Sequence, residues 1–198
     1  MIKIRFIVFL VIIFCTLPCF SQEEFFGNNA GLSVSGTTDF SNIYGGGLSI
    51  YLKNGIIFTG SSANIYNINL KSLGIGYIIS NKNNENGTNG LIDFSYGFMP
   101  NGYKITSVNM GLYQIVFPKS NFSSSIGASA SISSIFGEYH HEGFNLGFIF
   151  GYSQSFFNNN PIYPVMGITY ELPINQTDNA NSEGSFLFHL GLNIKLGK

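Results

Sequence analysis

Apolar residues alternate with small or polar ones along most of this chain, most plainly in its last segment. From Gly184 to Lys198 one set of alternate positions is Phe186, Phe188, Leu190, Leu192, Ile194 and Leu196. The other set is Leu187, His189, Gly191, Asn193 and Lys195. A repeat of two belongs to a strand whose faces meet different media. Six apolar positions on one face, backed by Gly, Asn and Lys, predict lipid on one side and a lumen on the other.

The same repeat predicts nine further strands. They run over Asn29–Gly36, Ile43–Leu52, from Ile56 to a fade at Gly60–Ser62, Ile68–Ile79, Leu91–Met99, Tyr103–Phe117, Asn121–Ile135, Gly143–Ser153 and Ile162–Leu172. In the seventh, Phe122, Ile126, Ala128, Ala130 and Ile132 alternate with Ser123, Ser125, Gly127, Ser129 and Ser131. Glycine shares the Ser/Asn/Thr face in nearly every strand, while Phe, Tyr, Leu and Ile make the other. Lys53-Asn54-Gly55 predicts a tight type I′ hairpin turn. Ser80–Gly90 and Pro173–Glu183 read as polar loops. The expected fold is all-β: a closed antiparallel up-and-down transmembrane barrel of about ten strands. A count of eight, with Gly55–Asn69 parsed differently, keeps the Ser80–Gly90 loop off the side where turns are short. The competing architecture is a secreted soluble sandwich or lipid-binding barrel with its apolar face inward. Such a protein exposes many Lys and Glu, whereas only 10% of this chain is charged.

The N-terminus changes the picture of where the chain resides. Lys3 and Arg5 precede an apolar run from Phe6 to Leu17, which Pro18 breaks. Cys19 and Ser21 then place small residues at −3 and −1 of a cut before Gln22. Residues 1–21 read as a cleaved signal peptide and residues 22–198 as a single barrel domain. An uncleaved anchor and a lipoprotein cut before Cys19 are the alternatives. The run is short for a membrane helix, which needs roughly 20 apolar residues. Pro18 and Thr16 fit a lipoprotein signal badly.

Cys15 and Cys19 both leave with that segment, so the exported body has no disulfide to form. Arg5 is the only arginine, and seven lysines face ten acidic residues after the cut. With no basic stripe and no guanidinium fork, nucleic-acid binding is excluded. Positive mean hydropathy (+0.20) without an internal apolar run of helix length excludes a helical membrane protein.

On these residues the chain resembles the small outer-membrane β-barrel proteins of Gram-negative bacteria. The resemblance covers residues 22–198 and rests on the signal segment, the cysteine-free body, the two-residue repeats and the amphipathic last strand. It implies the cell outer membrane as location, outer-membrane lipid as surroundings, and an assembly machinery that reads the last strand. The final aromatic common in that family is absent, since the chain stops at Leu196-Gly197-Lys198. Activity does not follow from the architecture, because such barrels include structural proteins, pores, adhesins and lipid enzymes.

Candidate chemistry is sparse. The lumen-facing polar residues are expected to be Asp93, Asn109, Tyr113, Asn145, Thr169, Glu171, His189, Asn193 and Lys195. Should the last hairpin close near its centre, His189 stands opposite Thr169 and diagonal to Glu171. A Glu–His pair is a catalytic dyad in some hydrolases and, far more often, part of a satisfied polar network. The His-x-Ser pattern of lipid A deacylase barrels is absent. Glu138-Tyr139-His140-His141-Glu142 offers metal-ligand types, but adjacent histidines on an extended chain point to opposite sides. No catalytic residue, metal or cofactor is therefore assigned. The function expected is a non-enzymatic barrel with a structural or surface-interaction role. A small channel or transport component comes second, and a lipid hydrolase a distant third. Tyr51, Tyr113, Tyr163 and Ile149 are expected to fill the lumen, and Tyr44, Tyr77, Tyr96, Tyr152, Tyr170 and Phe186 to form interface girdles.

Overall fold

A computed structural model describes residues 30–65, 67–79, 88–116, 121–137, 141–157, 159–174 and 185–196. The proposed signal segment, the Ser80–Gly90 loop up to residue 87, residues 138–140 of the Glu138–Glu142 cluster and most of the Pro173–Glu183 loop lie outside the described residues.

The strands are β1 (Ala30–Thr38), β2 (Ile43–Tyr51), β3 (Ile56–Ile65), β4 (Ile68–Ile79), β5 (Thr88–Phe98), β6 (Lys104–Val116), β7 (Phe122–Phe136), β8 (His141–Phe156), β9 (Ile162–Pro173) and β10 (Ser185–Leu196). Each pairs antiparallel with its chain neighbours, and β10 pairs with β1, so the sheet closes on itself. The closing seam runs from Ala30↔Leu196 to Thr38↔Phe188 without a break. Ten strands form, not eight. The segment after Gly55, irregular as a sequence, is a full strand because Gly60, Ser61 and Ser62 pair on both sides, with Leu48, Gly47 and Gly46 and with Leu73, Ser72 and Lys71.

The wall is inside out relative to a soluble barrel. Leu73 and Leu112 are each 64% exposed and Leu190 is 62% exposed, with Phe58, Ile75, Phe94, Phe148, Phe150 and Leu192 exposed around them. Buried on the other phase are Ser33, Ser49, Asp93, Ser107, Asn109, Ser131, Thr169 and Asn193. Soluble monomers do not expose contiguous apolar surface of this extent. A hydrocarbon surround requires it, since every backbone polar group must then be satisfied inside the closed ladder.

Two turns show how local chemistry sets strand ends. Between β1 and β2, Asp39 Oδ1 accepts from the backbone N–H groups of Ser41, Asn42 and Ile43 at 2.8–2.9 Å. Phe40 takes a left-handed φ of 63° in that turn, and its ring packs on Phe188 at 5.0 Å between centroids. Between β2 and β3 the type I′ turn does not form. Only Gly55 has positive φ there, at 88°, while Asn54 keeps φ negative and its Oδ1 accepts from the Ile56 N–H. Leu52 N–H bonds to Ile56 O and Gly55 N–H to Leu52 O, which makes a longer loop closed by a left-handed glycine. A Cβ on Gly55 would lie 2.8 Å from Ile78 O.

The exterior yields a depth-dependent prediction. Lysine at Phe148 or Leu190, both near the middle of their strands, destabilises by about 2–4 kcal/mol. Lysine at Phe186, near the end of β10, costs about 0–1 kcal/mol. Equilibrium unfolding in lipid vesicles reads the difference, and equal costs at the three sites would contradict a bilayer around this wall.

Candidate functional site

Among the described residues the buried polar chemistry gathers in the lumen, which is built in layers. Near the end that carries the β2–β3 turn, Tyr51, Ile57, Ile78, Leu91 and Tyr113 pack into one apolar cluster, with Ile115 against it. Toward the opposite strand ends, Ile43, Ala63, Leu70, Ile105, Ile135 and Leu187 are buried on the inner face. Polar residues occupy the space between. Sequence reading assigns the tyrosines and Ile149 to the lumen but passes over most of these aliphatic layers. Their signal is an apolar residue in the polar phase near a strand end, such as Ile57, Ile105 or Ile135.

Most of the polar contacts join residues directly opposed in the sheet. Asn109 Nδ2 donates to Asp93 Oδ1 at 2.6 Å. Ser33 Oγ donates to Asn193 Oδ1 at 2.6 Å. Ser61 meets Ser72 at 2.7 Å, Ser95 meets Ser107 at 2.6 Å and Ser123 meets Ser155 at 2.9 Å. Each pair ties two inward polar side chains together with one short bond, which is the sheet's way of filling a narrow polar interior.

His189 is the best-tied member. Its Nδ1 lies 2.9 Å from Thr37 Oγ1 on β1, and its Nε2 lies 2.9 Å from Thr169 Oγ1 on β9. Threonine hydroxyls donate or accept as required, so either ring tautomer is accommodated. The β9–β10 register differs from the sequence expectation by two residues: His189 faces Gly167, Thr169 faces Leu187 and Glu171 faces Ser185. Thr169 therefore reaches His189 diagonally. Glu171 takes no part, and the Glu–His dyad does not form. Both its carboxylate oxygens are buried without a hydrogen-bond partner among the described residues, as are Asp93 Oδ2, Asn109 Oδ1 and Asn193 Nδ2.

The remaining candidates fall as follows. Tyr113 belongs to the apolar cluster. Lys195 Nζ sits 5.2 Å from the ring centroid of Tyr163, a cation–π geometry. Asn145 stands opposite Ser133 in β8, and its side chain lies outside the described residues. His140 also lies outside them, and His141 is placed only as the first residue of β8.

Tyr163, Leu70, Ile105 and Leu187 are 0% exposed, and Glu171 is 1% exposed. The His189 imidazole is held between two threonine hydroxyls. Among the described residues no group of three His, Cys, Asp or Glu side chains converges on a metal position.

Removing His189 and removing Glu171, two of the buried titratable groups, should have opposite effects. His189→Leu strands two threonine hydroxyls and destabilises by about 1–3 kcal/mol. Glu171→Leu removes buried oxygens that lack partners and stabilises by about 1–3 kcal/mol. Urea unfolding midpoints of the two variants in the same vesicles measure both signs.

No family model matches the chain, and no curated protein matches it. Among solved structures the chain is similar to Neisserial surface protein A, with TM-score 0.45 and 12% identity over 84% of this chain and 96% of that one. It is similar to the KdgM porin in complex with disordered oligogalacturonate, with TM-score 0.45 and 9% identity over 84% and 99%. It is also similar to the outer membrane enzyme PagL, with TM-score 0.42 and 13% identity over 85% and 99%. The closed ten-stranded wall, apolar outside and polar within, is by its own chemistry the architecture of a membrane-spanning β-barrel.

Proposed function

We propose that this chain is a non-catalytic integral protein of the cell outer membrane, exported by a signal peptide cut before Gln22, whose role is structural or surface-interacting. The observation that carries the reading is the packed lumen. Tyr51, Ile57, Ile149, Tyr163 and Leu187 are all fully buried on the inner face, drawn from five different strands. A barrel of about ten strands has an interior that side chains can fill, whereas wide aqueous channels come nearer 16 strands. Asp93, Glu171 and Lys195 form no ring of one sign that would select an ion. These features favour a plugged barrel over a small channel. The buried, doubly tied His189 speaks against a hydrolase.

The reading includes a role for β10 during assembly. Its outer face carries Phe186, Phe188, Leu190 and Leu192, all exposed, and it forms the closing seam with β1. An unpaired β10 would present both that apolar row and a free edge to the assembly machinery.

Fractionation should recover the protein in the outer membrane, resistant to carbonate extraction and with heat-dependent gel mobility. In planar bilayers the purified protein should give at most small, intermittent conductance. A stable conductance of porin size would overturn the plugged reading in favour of a channel. Recovery as a soluble periplasmic protein would reject the membrane assignment.

A further inference from the structure

Among the described side chains, charge breaks the outer wall in one row. Lys71 on β4 pairs with Phe98 on β5, and Phe98 pairs with Lys104 on β6. All three side chains are exposed on the outer face, in one row across three strands. Adjacent strands lie about 4.8 Å apart, so the two lysine stems start about 10 Å from each other with the Phe98 ring between them. Among the strand side chains that are described, none is a carboxylate on this face: Asp93 and Glu171 are both buried in the lumen, and the side chain of Glu142 on β8 lies outside the described residues. Asp39, in a turn at the same end of the barrel, has its Oδ1 engaged by three backbone amides of its own turn. Among the described side chains, the lysine pair thus faces the surroundings with no protein counter-ion on its own wall.

Beside Lys71 the same wall is hollowed. A groove of about 650 Å³ runs over β1 to β4, with Lys71 and Phe98 in its lining. Its depth comes from Gly46 and Gly60, which leave the outer face without side chains there. Gly60 is flanked in register by Leu48 and Leu73, which form apolar banks. Along this row the groove has the character of an acyl chain's site, and it passes beneath a cationic rim.

We propose that the lysine pair and the groove together bind an anionic, phosphate-bearing lipid from the leaflet at that end of the barrel. The phosphate sits between Lys71 and Lys104, each ammonium supplying donors and charge. Lysine stems extend along apolar surface to bring the charge up to headgroup level. One acyl chain lies over Gly60, between Leu48 and Leu73. A free phosphate would leave that apolar groove unused, which favours the lipid as occupant. The proposal rests on the membrane assignment made above.

Lipid titration by native mass spectrometry of the full-length protein, folded in detergent, tests it. The probes are phosphatidylglycerol, phosphatidylcholine and inorganic phosphate. Heat-dependent gel mobility reports folding of every variant, and insertion into phosphatidylcholine vesicles reports the membrane assignment separately. Phosphatidylglycerol should bind more tightly than phosphatidylcholine. Lys71→Gln or Lys104→Gln should weaken it about fivefold and the double variant about thirtyfold, with phosphatidylcholine unchanged. Gly60→Leu has room for its Cβ, whose nearest neighbour would be Leu73 Cδ2 at 3.6 Å. It should weaken both lipids alike by filling the groove. Unchanged phosphatidylglycerol binding by the double variant, or inorganic phosphate that binds alone and competes, would overturn the site. Insertion without any lipid preference would overturn the site and leave the membrane assignment standing. Failure to insert would overturn both.

Discussion

Everything in this fold depends on closing the backbone ladder between the first and last strands. A sheet in hydrocarbon has no water to satisfy an open edge, and each unsatisfied N–H or C=O costs several kcal/mol there. The β1–β10 seam removes that edge along the whole of β1, from Ala30↔Leu196 to Thr38↔Phe188. Closure then dictates the rest. Alternate side chains must point into a narrow interior, and that interior must be filled by groups that bond to one another.

The filling follows from the register. Opposed pairs such as Asp93–Asn109, Ser95–Ser107 and Ser33–Asn193 come together because closure aligns them. Inward glycines give the crowded centre its space. A Cβ on Gly74 would lie 2.5 Å from Thr59 Oγ1, and one on Gly45 would lie 2.9 Å from Ala63 Cβ. Tyrosines and aliphatic residues close the two ends. The result is a polar core between apolar layers, the reverse of a soluble protein in its outer wall yet packed by the same requirement of mutual satisfaction.

Strand existence and facing were legible in the sequence because a barrel wall separates two media, and a period of two records that separation residue by residue. Val34, Phe94 and Leu190 stand outward, and Ser33, Ser95 and Tyr51 inward, as the alternation predicts. Cross-strand register was less legible. The β9–β10 pairing differs by two residues from the expectation, which separates Glu171 from His189, because the connecting segment sets the register and carries no decisive turn signal. The Lys53-Asn54-Gly55 turn misled for a related reason: two loop geometries share its Asn-Gly signal. The Lys71–Phe98–Lys104 row was invisible in sequence, since its members lie on three strands and meet only through two registers.

The central claim is that one phase of the wall meets lipid and the other meets a closed, packed lumen. Nitroxide labels placed one at a time along β7, from Ser129 to Ile132, test it most directly in reconstituted protein. Alternating collision rates with oxygen and with a water-soluble nickel chelate read the surroundings of each site. The account predicts that Ala130 and Ile132 are open to oxygen and closed to nickel, while Ser129 and Ser131 are closed to both. Nickel access at Ser129 and Ser131 would mean a water-filled pore, and nickel access at Ala130 and Ile132 would mean a wall facing water. Either result would contradict the account.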